Sequence, residues 1–117
     1  MVKAKFTPSE VERAIRELAR ILKVKKIKIS RLILYGSYAR GKQRNFSDID
    51  LAIISPTFRG KNRFIIQEMI ARAINGRKGI MTAIEPIGYS TEEYVQADPT
   101  TFLGEIKLTG REITGGI

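Results

Sequence analysis

Two short groups of residues in this sequence could do chemistry together. Gly36 and Ser37, within Tyr35-Gly36-Ser37-Tyr38-Ala39-Arg40-Gly41, pair a residue without a side chain with a hydroxyl. A glycine lets the backbone approach a ligand closely or take a positive φ, and free N–H groups at the start of a helical turn attract phosphate. Ten residues separate Ser37 from Asp48-Ile49-Asp50. In a strand, positions i and i+2 project from one face, so the two carboxylates point together while Ile49 and Leu51 turn to the core. Adjacent acids repel and are costly to bury unpaired. A divalent cation relieves both problems, and magnesium commonly bridges carboxylates to substrate phosphates. Taken singly, each group has a plain reading: a Gly-Ser pair after a strand is a turn, and an Asp-x-Asp is a pair of solvated acids. Together they set a phosphate cradle and a metal-binding pair on successive strands, within reach of one nucleoside triphosphate.

The elements that must position these groups follow from hydrophobic spacing. Thr7-Pro8-Ser9-Glu10 is a helix start with a capping box. Val11, Ile15, Leu18, Ala19 and Leu22 continue it as one apolar stripe, fading near Lys23-Val24-Lys25. Ile27, Ile29 and Leu32 to Tyr35 read as a strand that ends at Gly36. Residues 36–45 read as a loop with one helical turn, and Asp48 to Ile54 as a second strand stopped by Ser55-Pro56. Residues 57–63 read as a basic loop. Ile65, Ile66, Met69, Ile70, Ala73 and Ile74 predict a helix over 62–75, closed by Asn75-Gly76. Gly79 to Ile87 reads as a third strand ended around Pro86 and Gly88. Ser90-Thr91-Glu92-Glu93 opens a short helix, and Phe102, Leu103 and Ile106 form a last helical piece after Pro99. The tail 110–117, with two consecutive glycines, is expected to fray. The order predicts a small α/β (α+β) domain over residues 1–117: a mixed sheet of three or more strands flanked by helices.

Composition narrows the chemistry. The chain has 117 residues, 43% of them hydrophobic and 28% charged, as expected of one globular domain. It has no cysteine and no histidine, which removes disulfides, thiolate nucleophiles, the usual zinc sites and imidazole bases. Catalysis must therefore use carboxylates, hydroxyls, backbone amides or a hard, oxygen-liganded cation. No apolar run approaches a membrane span, and the charged start argues against a signal peptide, so a cytoplasmic protein is expected. The net charge is +9, with 13 Lys and Arg against 3 acids in residues 1–44, and 8 against 9 in residues 45–117. A basic half suits an anionic partner, nucleotide or nucleic acid; it equally suits solubility in a protein from a hot environment. Four tyrosines, Tyr35, Tyr38, Tyr89 and Tyr94, offer stacking faces, with none assigned to a base.

The string GSYARGKQRNFSDIDLAII resembles the minimal nucleotidyltransferases of the DNA polymerase beta superfamily. The specific motif spans residues 34–54, and the element order is compatible over most of the chain. The resemblance implies the polymerase beta-like nucleotidyltransferase fold and two-metal nucleotidyl transfer. Asp48 and Asp50 would hold two magnesium ions that bridge ATP, and Gly36 and Ser37 would seat the β and γ phosphates. Arg40 is either a phosphate contact or an exposed charge on a basic loop. The family carries a third carboxylate on a neighbouring strand. Glu85 completes the catalytic and metal-binding triad if that position falls on it, a Glu for the usual Asp; if it falls on Ala83 the triad is broken. Such enzymes accompany a separate small helical HEPN protein, as antitoxin to its toxin, and can adenylylate it. The expected function is thus magnesium-dependent transfer of AMP from ATP to a protein hydroxyl. The alternatives are a degenerate module that neutralises or scaffolds a partner without chemistry, or a nucleic-acid binder using the basic half.

Overall fold

The computed structural model describes residues 6–41 and 48–113. Helix α1, Pro8–Val24, starts as the sequence predicts: the Thr7 hydroxyl accepts from the Glu10 N–H and the Glu10 carboxylate accepts from the Thr7 N–H. Its buried stripe is Val11, Ala14, Ile15, Leu18, Ala19 and Leu22. Strand β1, Arg31–Tyr35, is shorter than expected. Ile27 donates its N–H back to the Leu22 carbonyl, and Lys26 takes a φ of 67°. Ile27, which is buried, therefore closes the helix, and the chain joins β2 only at Ser30, whose N–H donates to the Ile54 carbonyl.

Strand β2, Ile49–Ser55, runs antiparallel to β1, with Tyr35 opposite Asp50 and Arg31 opposite Ile54. The expected basic loop begins as a 3-10 turn, Pro56–Phe58, which carries Phe58 into the core. Helix α2, Arg63–Ala73, is capped by the Asn62 side chain. It returns the chain to strand β3, Ile84–Ser90, which lies parallel to β2. Helices α3, Thr91–Gln96, and α4, Phe102–Thr109, follow, the first with the predicted capping box of Ser90 and Glu93. The expected frayed tail is corrected over its first residues. Strand β4, Arg111–Glu112, pairs with β1, and Ile113 is buried; residues 114–117 lie outside the described residues.

The sheet order is β3-β2-β1-β4. Alternation divides its side chains between two layers. Leu32, Leu34, Ile49, Leu51, Ile53 and Ile84 pack with α1 and α2. Ile33, Ala52, Ile54 and Tyr89 pack with Leu103 and Ile106 of α4. Each fully buried Leu or Ile contributes roughly 1.5–3 kcal/mol, so the two layers fix the register of every strand between them. Among the described residues no helix is long and apolar enough to cross a membrane.

The third strand differs most from expectation. Residues 79–83 form a 3-10 turn, and the strand passes through Pro86 and Gly88 instead of ending there. The reason is its place at the sheet edge. Pro86 turns its carbonyl away from β2, so the N–H it lacks is not missed by the ladder. The open edge is filled by one side chain of α2: the Gln67 amide donates to the Pro86 carbonyl at 3.0 Å and accepts from the Gly88 N–H at 2.9 Å. Arg63 donates to the Gly88 carbonyl and lies 4.4 Å from the Tyr89 ring centroid. Gly88 lets α2 come this close, since a Cβ there would sit 2.6 Å from the Ile66 side chain and 2.8 Å from Phe58. Gln67→Ala strands an N–H and a carbonyl at once, and chemical denaturation should show a loss of about 1–3 kcal/mol with an unchanged m-value.

Candidate active site

At the end of β1 the chain reverses through Gly36, whose φ is +73°. Residues 36–41 then form a tight turn in which the Arg40 N–H donates to the Gly36 carbonyl at 3.3 Å. Tyr38 anchors the turn: its ring is buried and its hydroxyl accepts from the Phe6 N–H at 3.3 Å. Ser37 is half-buried, and Arg40 is exposed.

Gly36 is required for a second reason besides its φ. A Cβ at this position would lie 2.3 Å from Asp50 Oδ2. The Asp50 carboxylate thus occupies the space that a side chain would fill and leans over the backbone where the turn begins. The antiparallel register that sets Tyr35 opposite Asp50 produces this contact.

The parallel register of β2 and β3 brings in the third acid. Glu85 is the cross-strand partner of Asp50, on the same face of the sheet, whereas Ala83 falls in the 3-10 turn before β3 begins. Asp48 precedes β2 and is exposed, as is Glu85. Burial pushes the Asp50 carboxyl above its ordinary pKa, and the charges of Asp48 and Glu85 push it the same way. Burial, reinforced by Asp50 and then by Tyr89 and Glu85, holds the Tyr35 phenol at about 12. Tyr35 is therefore a neutral hydroxyl at physiological pH and no base.

Six sequence-predicted residues can now be placed. Gly36 and Asp50 touch, Glu85 stands beside Asp50, Asp48 lies one residue before β2, and Ser37 and Arg40 lie on the turn. Among the described residues no three such acids are gathered tightly enough to enclose a metal ion. The donor set nevertheless fits a hard divalent cation, being carboxylate oxygens whose mutual repulsion such a charge offsets.

Sequence reasoning left two aromatic residues unassigned. Tyr35 and Phe102 of α4 border a cleft of about 190 Å³ that also takes in Gly36, Arg40 and Glu105. Their rings meet edge to face, with centroids 5.7 Å apart at 85°. Phe102 reads in the sequence as one more apolar helix position; only the sheet order brings α4 beside Tyr35.

Known proteins resemble this chain. The pattern that defines the nucleotidyltransferase domain matches residues 15–95. One relative from Methanocaldococcus jannaschii, named "Putative protein adenylyltransferase", is 45% identical over 47 residues, which is 40% of this chain and 46% of that protein. A second protein of the same name and organism is 32% identical over 108 residues, covering 89% of this chain and 99% of its own length. The solved structure of a nucleotidyltransferase from Sulfolobus solfataricus, itself described as putative, superposes with a TM-score of 0.56 over 74% of this chain and 72% of that one, at 21% identity, a likeness of fold. With the glycine turn, the paired strands and a full-length relative in agreement, the chain belongs to the nucleotidyltransferase-domain family and is a minimal member of it.

Proposed function

We propose that this nucleotidyltransferase moves AMP from ATP to a hydroxyl of a protein acceptor, with Asp48, Asp50 and Glu85 as its acidic centre. The observation that carries the reading is the Asp50 carboxylate pressed over the Gly36 backbone with Glu85 as its strand partner. That contact sets the Asp50 carboxylate against the glycine turn, which supports a site where acids and turn amides share a cation and a triphosphate. A protein acceptor is supported by the name that both M. jannaschii relatives carry.

The chain's own residues divide the work. The Ser37 hydroxyl and the amides of the turn hold the β and γ phosphates, and Arg40 pairs with their outer charge. Asp48 and Asp50 hold magnesium, with Glu85 as the third donor. When bound, the cations offset the charge of the triphosphate and lower the pKa of the attacking hydroxyl. The acceptor oxygen bonds to the α phosphorus, the bond to the β-bridging oxygen breaks, and pyrophosphate leaves. Glu85, exposed and the strand partner of Asp50, takes the hydroxyl proton on its carboxylate. Tyr35, held as a neutral phenol, adds no further charge beside Asp50. The partner proposed from the family resemblance is a separate HEPN-type helical protein, with this chain as the antitoxin in the cytoplasm.

A second reading, a binding module without chemistry, has one observation in its favour: the three acids are not gathered around a cation position. Substitution separates the two. Asp48→Asn or Asp50→Asn should lower magnesium-dependent labelling of protein by α-labelled ATP on the order of a hundredfold or more, and full labelling in either variant would remove the mechanism. Asp50→Asn should also raise the melting temperature at pH 7 without divalent cation. The sign follows from the raised pKa: folding disfavours the Asp50 charge, so the ionised form costs stability above that pKa and the neutral amide does not.

Glu85→Gln should keep ATP binding and lose transfer, and a wild-type rate would exclude it as third donor. Gly36→Ala forces both the φ of +73° and the Asp50 contact. It should cost roughly 1–3 kcal/mol in denaturation and abolish ATP binding by calorimetry.

A further inference from the structure

The cleft beside Gly36 has two unlike kinds of lining. Its lining includes the turn that begins at Gly36 and the exposed Arg40, groups that suit phosphate. It also includes Phe102 and Glu105, three residues apart and therefore on the same side of α4. Phe102 is 55% exposed, an unusual state for a phenylalanine in a concave site. Its ring meets that of Tyr35 edge to face. Tyr35 is in turn fixed by pairing with β2 opposite Asp50. A largely exposed aromatic ring thus lines the same cleft as the turn that begins at Gly36.

The exposed guanidinium of Arg40 and the turn at Gly36 suit a polyanionic tail, and the Phe102 ring suits a flat, uncharged ring system. A nucleotide carries both, and one cleft offers both kinds of lining. The cleft's volume of about 190 Å³ suits one such ring system and is too small for a folded partner.

From these observations we infer that Phe102 is the nucleobase platform of the site, carrying the base of the bound nucleotide by stacking on its open face. The inference rests on the transferase reading above and adds to it the residue that holds the base. Stacking uses a π-face that every base presents, so Phe102 contributes affinity without choosing between bases. Tyr35 is a positioning residue, acting through the Phe102 ring.

The experiment is calorimetric titration with ATP, GTP and inorganic tripolyphosphate, each with magnesium, of the native protein, Phe102→Ala and Phe102→Trp. Phe102→Ala should weaken ATP and GTP by about tenfold each and leave tripolyphosphate unchanged. Phe102→Trp should bind both nucleotides at least as tightly as the native chain. Because Phe102 is largely exposed, circular dichroism should show the fold intact in both variants. Unchanged ATP binding in Phe102→Ala, or a matching loss for tripolyphosphate, would overturn the platform and leave the transferase reading standing. So would native protein that binds ATP no better than tripolyphosphate. Native protein that binds none of the three probes would overturn both.

Discussion

The structure turns on a carboxylate packed against a glycine. Asp50 occupies the volume that a side chain at position 36 would need, and it carries there a charge that burial and two neighbouring acids oppose. Neither half of the contact is stabilising in itself. It persists because both residues sit at the ends of strands whose other positions are locked into two apolar layers. The hydrophobic register of Leu32, Leu34, Leu51 and Ile53 on one side, and Ile33, Ala52 and Ile54 on the other, leaves Tyr35, Gly36 and Asp50 no alternative placement. A small core is thus spent on holding an unfavourable electrostatic arrangement in place, as functional sites commonly require.

The mixed sheet explains how so few residues assemble the site. An antiparallel pair brings the end of β1 to the beginning of β2, so a glycine turn and an acidic pair meet after a short excursion of chain. A parallel pair then brings the beginning of β3 to the beginning of β2, which needs a crossover, supplied by α2. Three separate segments therefore deliver their polar ends to one place, while the remainder of each strand is apolar. Helix α4 arrives last and closes the side of this site with an aromatic ring.

Residue type and spacing were enough to single out Gly36, Asp48 and Asp50 as candidates, since the features that mark them are local: a turn, and the period of a strand. The capped starts of α1 and α3 were legible for the same reason, because Thr7 with Glu10 and Ser90 with Glu93 act within one turn. The position of Glu85 was not. Its relation to Asp50 depends on where β3 begins, and Pro86 reads as a strand end unless the strand is known to lie at an edge. Ile27 and Ile29 alternate as a strand would, yet the left-handed turn at Lys26 commits the Ile27 N–H to the Leu22 carbonyl of the helix. Strand β4 is too short to leave a pattern, and Gly110 conceals its purpose until Ile33 is seen 2.4 Å from where its Cβ would be. In each case the missing information was a long-range neighbour.

The Gln67 bridge has a consequence for how this protein behaves in company. Strand edges recruit other strands, and unprotected ones seed intermolecular ladders. At β3 the amide of Gln67 already makes the two hydrogen bonds, to Pro86 and Gly88, that an incoming chain would seek, and Pro86 offers no N–H of its own. At the opposite flank β4 extends for two residues only. Among the described residues, neither border of the sheet presents a long row of unpaired backbone groups to a second copy.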